Sequence, residues 1–133
     1  RAVAAGANEN GMGVTFFNRD PVRGRQAAEV CGAVWGGGPE DCVPESFGAV
    51  VNTTPLGSAE AIPAPLLECA WGGTTIIDLV YGPEPTGWER LARERGLPFR
   101  GGLEFLARQA SGALERWIGV RPPPALLAEG LAH

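Results

Sequence analysis

Three short apolar runs, Gly13-Val-Thr-Phe-Phe17, Ala49-Val-Val51 and Thr74-Thr-Ile-Ile77, constrain the fold of this 133-residue chain more than any other feature. They are β-branched or aromatic and do not alternate with polar residues, so they read as strands of a parallel sheet buried on both faces. Parallel neighbours need long crossovers, and helix-like stretches lie between the runs. Asp20-Pro21 is a helix start, with Asp as the cap and Pro at the first helical position, and the helix runs to about Val30. Thr86-Gly-Trp-Glu89 matches a capping box and opens a helix that Gly96 can close. A third helix spans about Gly102 to Trp117, with an apolar stripe of Leu103, Leu106, Ala110, Ala113, Leu114 and Trp117. Pro122-Pro-Pro then separates a short helix from Ala125 to Leu131. The 20 Gly and 12 Pro punctuate these segments and form no low-complexity run. The pattern predicts an α/β fold, a doubly wound and mainly parallel sheet with flanking helices, without internal repeats. Such sheets begin with a strand and a Gly-rich turn, whereas Arg1 to Gly6 reads as a helix already under way. The first strand is therefore expected to be missing and the chain to be a fragment.

Composition narrows the chemistry. The apolar share of 44% supports one real hydrophobic core. All eleven basic residues are Arg, there is no Lys, and the single His is His133. A Schiff-base Lys, a phosphate-loop Lys, a Ser/His/Asp triad and a Lys general base are all excluded for these residues. The net charge is −4 and the Arg are scattered, which is not the footprint of a nucleic-acid binder. Cys31, Cys42 and Cys69 lack CxxC spacing, so no zinc site is expected, and buried thiols in a reducing compartment are the default reading. No run approaches the roughly 20 apolar residues of a membrane span, and Arg1-Ala-Val-Ala-Ala5 is too short for a signal peptide. The expectation is a soluble, intracellular protein without membrane or nucleic-acid partners.

Four segments carry candidate chemistry. In a dinucleotide-binding fold the end of the second strand meets the adenine ribose, and NADP sites place an Arg there. Here that strand ends in Asn18-Arg19, with Arg23 one turn into a helix whose N-terminus adds partial positive charge. An exposed turn with two solvated Arg is the plain alternative. The second segment is Val50-Val51-Asn52-Thr53-Thr54-Pro55-Leu56-Gly57, a strand running into a polar turn at the edge where such sheets bind ligands. Equally, Asn and Thr there can simply bond their own backbone. In Ile77-Asp78-Leu79-Val80-Tyr81-Gly82-Pro83-Glu84-Pro85-Thr86, Asp78 and Thr86 read as structural and Tyr81 as the ligand contact. In Gly101-Gly102-Leu103-Glu104-Phe105-Leu106-Ala107-Arg108-Gln109, Gly102 would let a planar ring approach the helix start. Gln109 lies two turns on, about 10 Å along the axis, where a solvated position is the simple reading.

In this order and spacing the four segments resemble the NADP-binding domain of shikimate dehydrogenases, over nearly all of the chain. Asn18, Arg19 and Arg23 meet the family's Asn-Arg-Thr-x-x-Arg/Lys, and Asn52, Thr54, Pro55 and Gly57 its Asn-x-Thr-Pro-x-Gly. Asp78, Tyr81, Pro83 and Thr86 meet Asp-x-x-Tyr-x-Pro-x-x-Thr, and Gly102, Leu106 and Gln109 meet Gly-x-x-Met/x-Leu-x-x-Gln. The resemblance implies a Rossmann-like cofactor domain over residues 1–121, a C-terminal helix and tail over 122–133, and reversible reduction of 3-dehydroshikimate to shikimate in aromatic amino-acid biosynthesis. It implies that Asn18, Arg19 and Arg23 hold the adenosine 2′-phosphate, with Asp20 beside them, that Thr53 and Leu79 line the ribose and nicotinamide, and that Gly102 meets the nicotinamide. Tyr81 and Gln109 would touch shikimate. The catalytic Lys and Asp would belong to a separate N-terminal substrate domain, and the Gly-rich pyrophosphate turn would lie before Arg1, so these residues alone are expected to be inactive. A cytoplasmic enzyme is implied, or a plastid one in a plant or alga. Asp20 departs from the usual Thr or Ser, and a carboxylate beside a phosphate repels it. Phe105 stands where Met is common. Quinate/shikimate dehydrogenase with NAD use and a non-catalytic dinucleotide-binding module are the alternative readings.

Overall fold

The computed structural model describes residues 1–55 and 62–131. Leu56, Gly57 and His133 lie outside the described residues. The chain divides into two compact units, Arg1–Val43 with Pro63–Cys69, and Pro44–Ile62 with Ala70–His133.

In the first unit, α1 (Ala2–Glu9) confirms the helical reading of the opening residues, and its follow-on strand β1 (Thr15–Phe17) pairs in parallel with β2 (Val34–Gly37). The helix between them, α2 (Pro21–Val30), starts as read. Asp20 Oδ1 accepts from the amides of Val22 at 3.0 Å and Arg23 at 3.1 Å, while Pro21 occupies a position whose N–H would have no partner. Gly24 on α2 is buried, and a Cβ there would run into the Trp35 indole, so the missing side chain lets the helix lie against β2. A short helix α3 (Ala64–Glu68) packs on the 3-10 turn Pro39–Asp41, whose Asp41 carboxylate accepts from the Gly38 amide at 2.8 Å. The three cysteines form no disulfide. Burial pushes the Cys42 thiol up from its ordinary pKa, and the neighbouring Cys69 adds to the shift.

In the second unit, β3 (Ala49–Asn52), β4 (Thr75–Asp78) and β5 (Phe99–Gly101) form a parallel sheet in that order. Among the described residues, only β4 has strand neighbours on both sides, and only β4 meets the expectation of a deeply covered strand, with Ile76 and Asp78 both at 0% exposure. β1 is half-buried throughout, and β3 passes from exposed Ala49 to buried Asn52, which corrects the reading of all three runs as buried on both faces. Just before β4, the buried Thr74 hydroxyl lies 2.8 Å from the carbonyls of both Pro44 and Phe47 and ties that turn to the strand entry. Trp71 and Trp88 meet edge to face at 6.3 Å beneath α4 (Gly87–Arg95), which Gly96 closes in the left-handed region at φ 64°.

The long helix α5 (Gly102–Ile118) packs against α6 (Pro124–Leu131), and Ser111 Oγ donates to the Pro122 carbonyl at 2.6 Å to hold the connection. The residues that α5 buries are Gly102, Ala107 and Ser111. The predicted stripe is half-buried from Leu103 to Leu114, and Trp117 is 78% exposed, so the last turn leaves the core. β2 and β5 escaped the sequence reading because Val-Trp-Gly-Gly and Phe-Arg-Gly are too short and too rich in Gly for a period to show.

Replacing Thr74 by Val removes the hydroxyl that lies against both turn carbonyls. The expected loss is about 1–2 kcal/mol, read as a lower urea midpoint, whereas Thr53→Val at an exposed position should stay within about 0.5 kcal/mol.

Candidate functional site

The register of the three-stranded sheet places Asn52 beside Asp78 and Asp78 beside Gly101. The residues that follow, Thr53, Leu79 and Gly102, therefore leave neighbouring strands at one level of the carboxyl edge, and the Leu79 amide donates to the Asn52 carbonyl at 3.1 Å. Asp78 organises this edge. Its Oδ1 accepts from Asn52 Nδ2 at 2.8 Å and the Val80 amide at 3.1 Å, and its Oδ2 accepts from Thr86 Oγ1 at 2.6 Å. Asn52 Oδ1 accepts in turn from the Thr54 amide at 3.1 Å and its hydroxyl at 2.7 Å. Thr86 Oγ1 also accepts from the Glu89 amide at 3.2 Å and so caps α4. One buried carboxylate thus fixes the exits of β3 and β4 and the start of α4. The reading of Asp78 and Thr86 as structural holds, and Asn52 and Thr54 do bond locally as the plain alternative had it.

The edge leaves other groups open. Tyr81, 56% exposed, lies three residues past β4 and lines a cleft of about 330 Å³ with Val80, Pro83, Glu84 and Arg90. Arg90 was not singled out in the sequence. It sits one turn after the cap Thr86, and its Nη1 donates to the Pro85 carbonyl at 2.6 Å. Gln109 is exposed on α5 and lines a separate cleft of about 380 Å³ with Arg108, Gly112, Arg116 and Arg121, so the two expected substrate contacts do not share a cleft. Arg108 hydrogen-bonds Glu104 at 2.8 Å, which holds that carboxyl below its ordinary pKa. Gly102 has a packing role that the sequence reading missed. A Cβ there would strike the Leu79 carbonyl and lie 2.9 Å from the Val80 carbonyl oxygen, so only Gly lets α5 start against the chain leaving β4. A ring ligand is not needed to explain it.

In the first unit, the Asn18 amide donates to the Gly37 carbonyl at 3.1 Å, and Asn18 Oδ1 accepts from the Asp20 amide at 2.9 Å. That turn leaves Arg19 exposed at the strand end. Asp20 caps α2 and also lies 3.4 Å from Arg23 Nε, an exposed pair worth at most about 1 kcal/mol. The carboxylate occupies the first amides of α2 and offsets the Arg23 charge. Of the four residues here, Arg19 is the one placed to meet an anion without a carboxylate on it. Among the described residues no group of His, Cys, Asp and Glu is placed to hold a metal, and no helix is long and apolar enough to cross a membrane.

No known family model matches the chain. Individual proteins do. The NADP(+) shikimate dehydrogenase of Thermus thermophilus is 38% identical over 97% of this chain and 48% of its own length. A shikimate dehydrogenase structure from Thermus thermophilus, in complex with NADP(H) and shikimate, superposes with a TM-score of 0.79 at 32% identity, over 96% of this chain and 48% of that one. The chain belongs to the shikimate dehydrogenase family. It spans about half the length of the curated relatives it matches. Quinate dehydrogenase of Corynebacterium glutamicum, in complex with NAD, is a further neighbour, with a TM-score of 0.79 at 27% identity over 98% of this chain and 50% of that one. Parallel sheets with flanking helices give this family member the expected Rossmann-like α/β fold.

Asp78→Ala strands three donors in a buried site and should cost about 3 kcal/mol or more. Asp78→Asn keeps Oδ1 and lets the Thr86 hydroxyl turn to accept, so it should cost clearly less. Denaturant midpoints of the two full-length variants check the order, and equal losses would contradict the three-donor account.

Proposed function

We propose that the full-length protein is a cytoplasmic, NADP-dependent shikimate dehydrogenase that interconverts 3-dehydroshikimate and shikimate, and that these residues are its cofactor-binding half. The observation that carries the reading is the single level of the sheet edge from which Thr53, Leu79 and Gly102 emerge, in a chain 38% identical to an NADP(+) shikimate dehydrogenase. The donor set fits NADP. Arg19 offers a planar guanidinium to the 2′-phosphate, and the Asn18 turn holds the strand end that carries it. Because Asp20 already takes the first-turn amides and pairs with Arg23, Arg19 carries most of the phosphate recognition and Arg23 less. Thr53, Leu79 and Gly102 line the ribose and nicotinamide. Tyr81 and Gln109 orient the substrate. The bound cofactor supplies or accepts the hydride. The resemblance to shikimate dehydrogenases puts the group that exchanges the hydroxyl proton in the other half of the full-length protein, and the lack of Lys here, with one His at position 133, agrees with that.

NAD use, as in a quinate/shikimate dehydrogenase, is the second reading, and Asp20 is what favours it, since a carboxylate 3.4 Å from Arg23 would repel a 2′-phosphate held beside it. One set of kinetics decides between them. Arg19→Ala in the full-length protein should raise the NADPH KM about tenfold or more while leaving the NADH KM within about twofold; an equal loss with both cofactors would sink the Arg19 assignment. Asp20→Ser should lower the NADPH KM. Cofactor binding without shikimate oxidation by either cofactor would instead identify a non-catalytic dinucleotide-binding module. Turnover by residues 1–133 alone would contradict the division of labour between halves.

A further inference from the structure

We propose that Arg90 is a positioning residue, which braces the segment after β4 and so sets where Tyr81 stands. The chain leaves β4 at Asp78 and re-enters regular structure at Gly87. Asp78 holds both ends of what lies between, through the Val80 amide and the Thr86 hydroxyl. Residues 81–85, between those anchors, run Tyr-Gly-Pro-Glu-Pro. Pro83 and Pro85 have no N–H to give, and Gly82 adds freedom in place of restraint. Among the described residues no backbone-to-backbone hydrogen bond reaches these five, and the bond from Arg90 Nη1 to the Pro85 carbonyl, at 2.6 Å, is the one hydrogen bond they make. Without it the segment is held at its ends alone.

The base of the brace is fixed. Trp88, Leu91 and Ala92 bury α4, and the Arg90 amide donates to the Thr86 carbonyl at 3.0 Å, so the guanidinium reaches back over the first turn from a backbone already in place. A charged N–H bonds a carbonyl more strongly than a neutral donor does, and Arg keeps its charge at every working pH. Arg93, three residues on, pairs instead with Glu89 at 2.6 Å. Arg90 and Tyr81 line the same cleft of about 330 Å³. A hydroxyl that orients a small substrate must be held to within about 0.5 Å, so loosening residues 81–85 weakens what Tyr81 can do and leaves the exits at Thr53 and Gly102 as they are. This inference rests on the reading of Tyr81 as a substrate contact in a shikimate dehydrogenase.

The test compares Arg90→Ala, Arg90→Lys and Arg93→Ala in the full-length protein. Arg90→Ala should raise the shikimate KM about fivefold, as loss of one hydrogen bond does, and leave the NADP KM within about twofold. Arg90→Lys keeps a charged donor on a long stem and should recover most of the loss, while Arg93→Ala should change neither constant. In a Tyr81→Phe background Arg90→Ala should add little, because both substitutions remove the same substrate contact. Equal rises in both KM values, or effects of Arg90→Ala and Tyr81→Phe that simply add, would overturn the proposal. Chymotrypsin gives a readout that needs no activity. Cleavage after Tyr81 should be about fivefold faster in Arg90→Ala than in the wild type and unchanged in Arg93→Ala; equal rates in all three would also overturn it. Faster cleavage in a protein that does not oxidise shikimate keeps the brace and refutes the enzyme, whereas shikimate oxidation with unaltered cleavage and KM keeps the enzyme and refutes the brace.

Discussion

The carboxylate of Asp78 is the constraint on which the second unit depends. It sits at 0% exposure in the middle strand and accepts from Asn52, Val80 and Thr86. A buried acceptor with that many donors is sensitive to any displacement, because each donor that moves away leaves a polar group without water or partner. The ends of β3 and β4 and the cap of α4 are thereby fixed relative to one another. Gly102 completes the arrangement by letting α5 begin against the Leu79 carbonyl. The candidate site is the outer side of this framework, where Thr53, Leu79 and Tyr81 project from backbone that is already held. Rigid support with open side chains is what positioning a planar cofactor and a small polar substrate requires.

The first unit applies the same logic to charge. Asp20 is a good cap for α2, and the same carboxylate is a poor neighbour for a phosphate. The bonds to Val22 and Arg23 amides stabilise the helix start, while the 3.4 Å approach to the Arg23 guanidinium removes part of the positive field. Fold stability and the proposed 2′-phosphate recognition would therefore pull on one side chain in opposite directions. Arg19, held outside that pair by the Asn18 turn, escapes the conflict.

Much of this was legible in the residues. Helix starts at Asp20 and Thr86 and the stop at Gly96 were read correctly, because capping is a local matter of one side chain and two or three amides. The strands named from β-branched runs exist, with boundaries one or two residues off. β2 and β5 were not legible, since their residues acquire a strand conformation only from the neighbour they pair with. The candidate site divides in the same way. The polar groups at each strand end could be listed from the sequence, but their bonding could not. Thr86 was placed as a cap and as structural, yet its second bond, to a carboxylate eight residues earlier, needed the turn between them to be folded.

The sequence by itself determined the parallel α/β class, the absence of Lys from these residues and Arg as their main cation, because composition, period and caps are properties of neighbouring residues. Only the tertiary structure decided that Asp78 ties together three elements, that Gly102 serves packing, that Tyr81 and Gln109 line separate clefts and that Trp117 stands in solvent. Each of these depends on groups brought within a few ångströms across the chain, and hydrogen bonding and burial act at that distance alone.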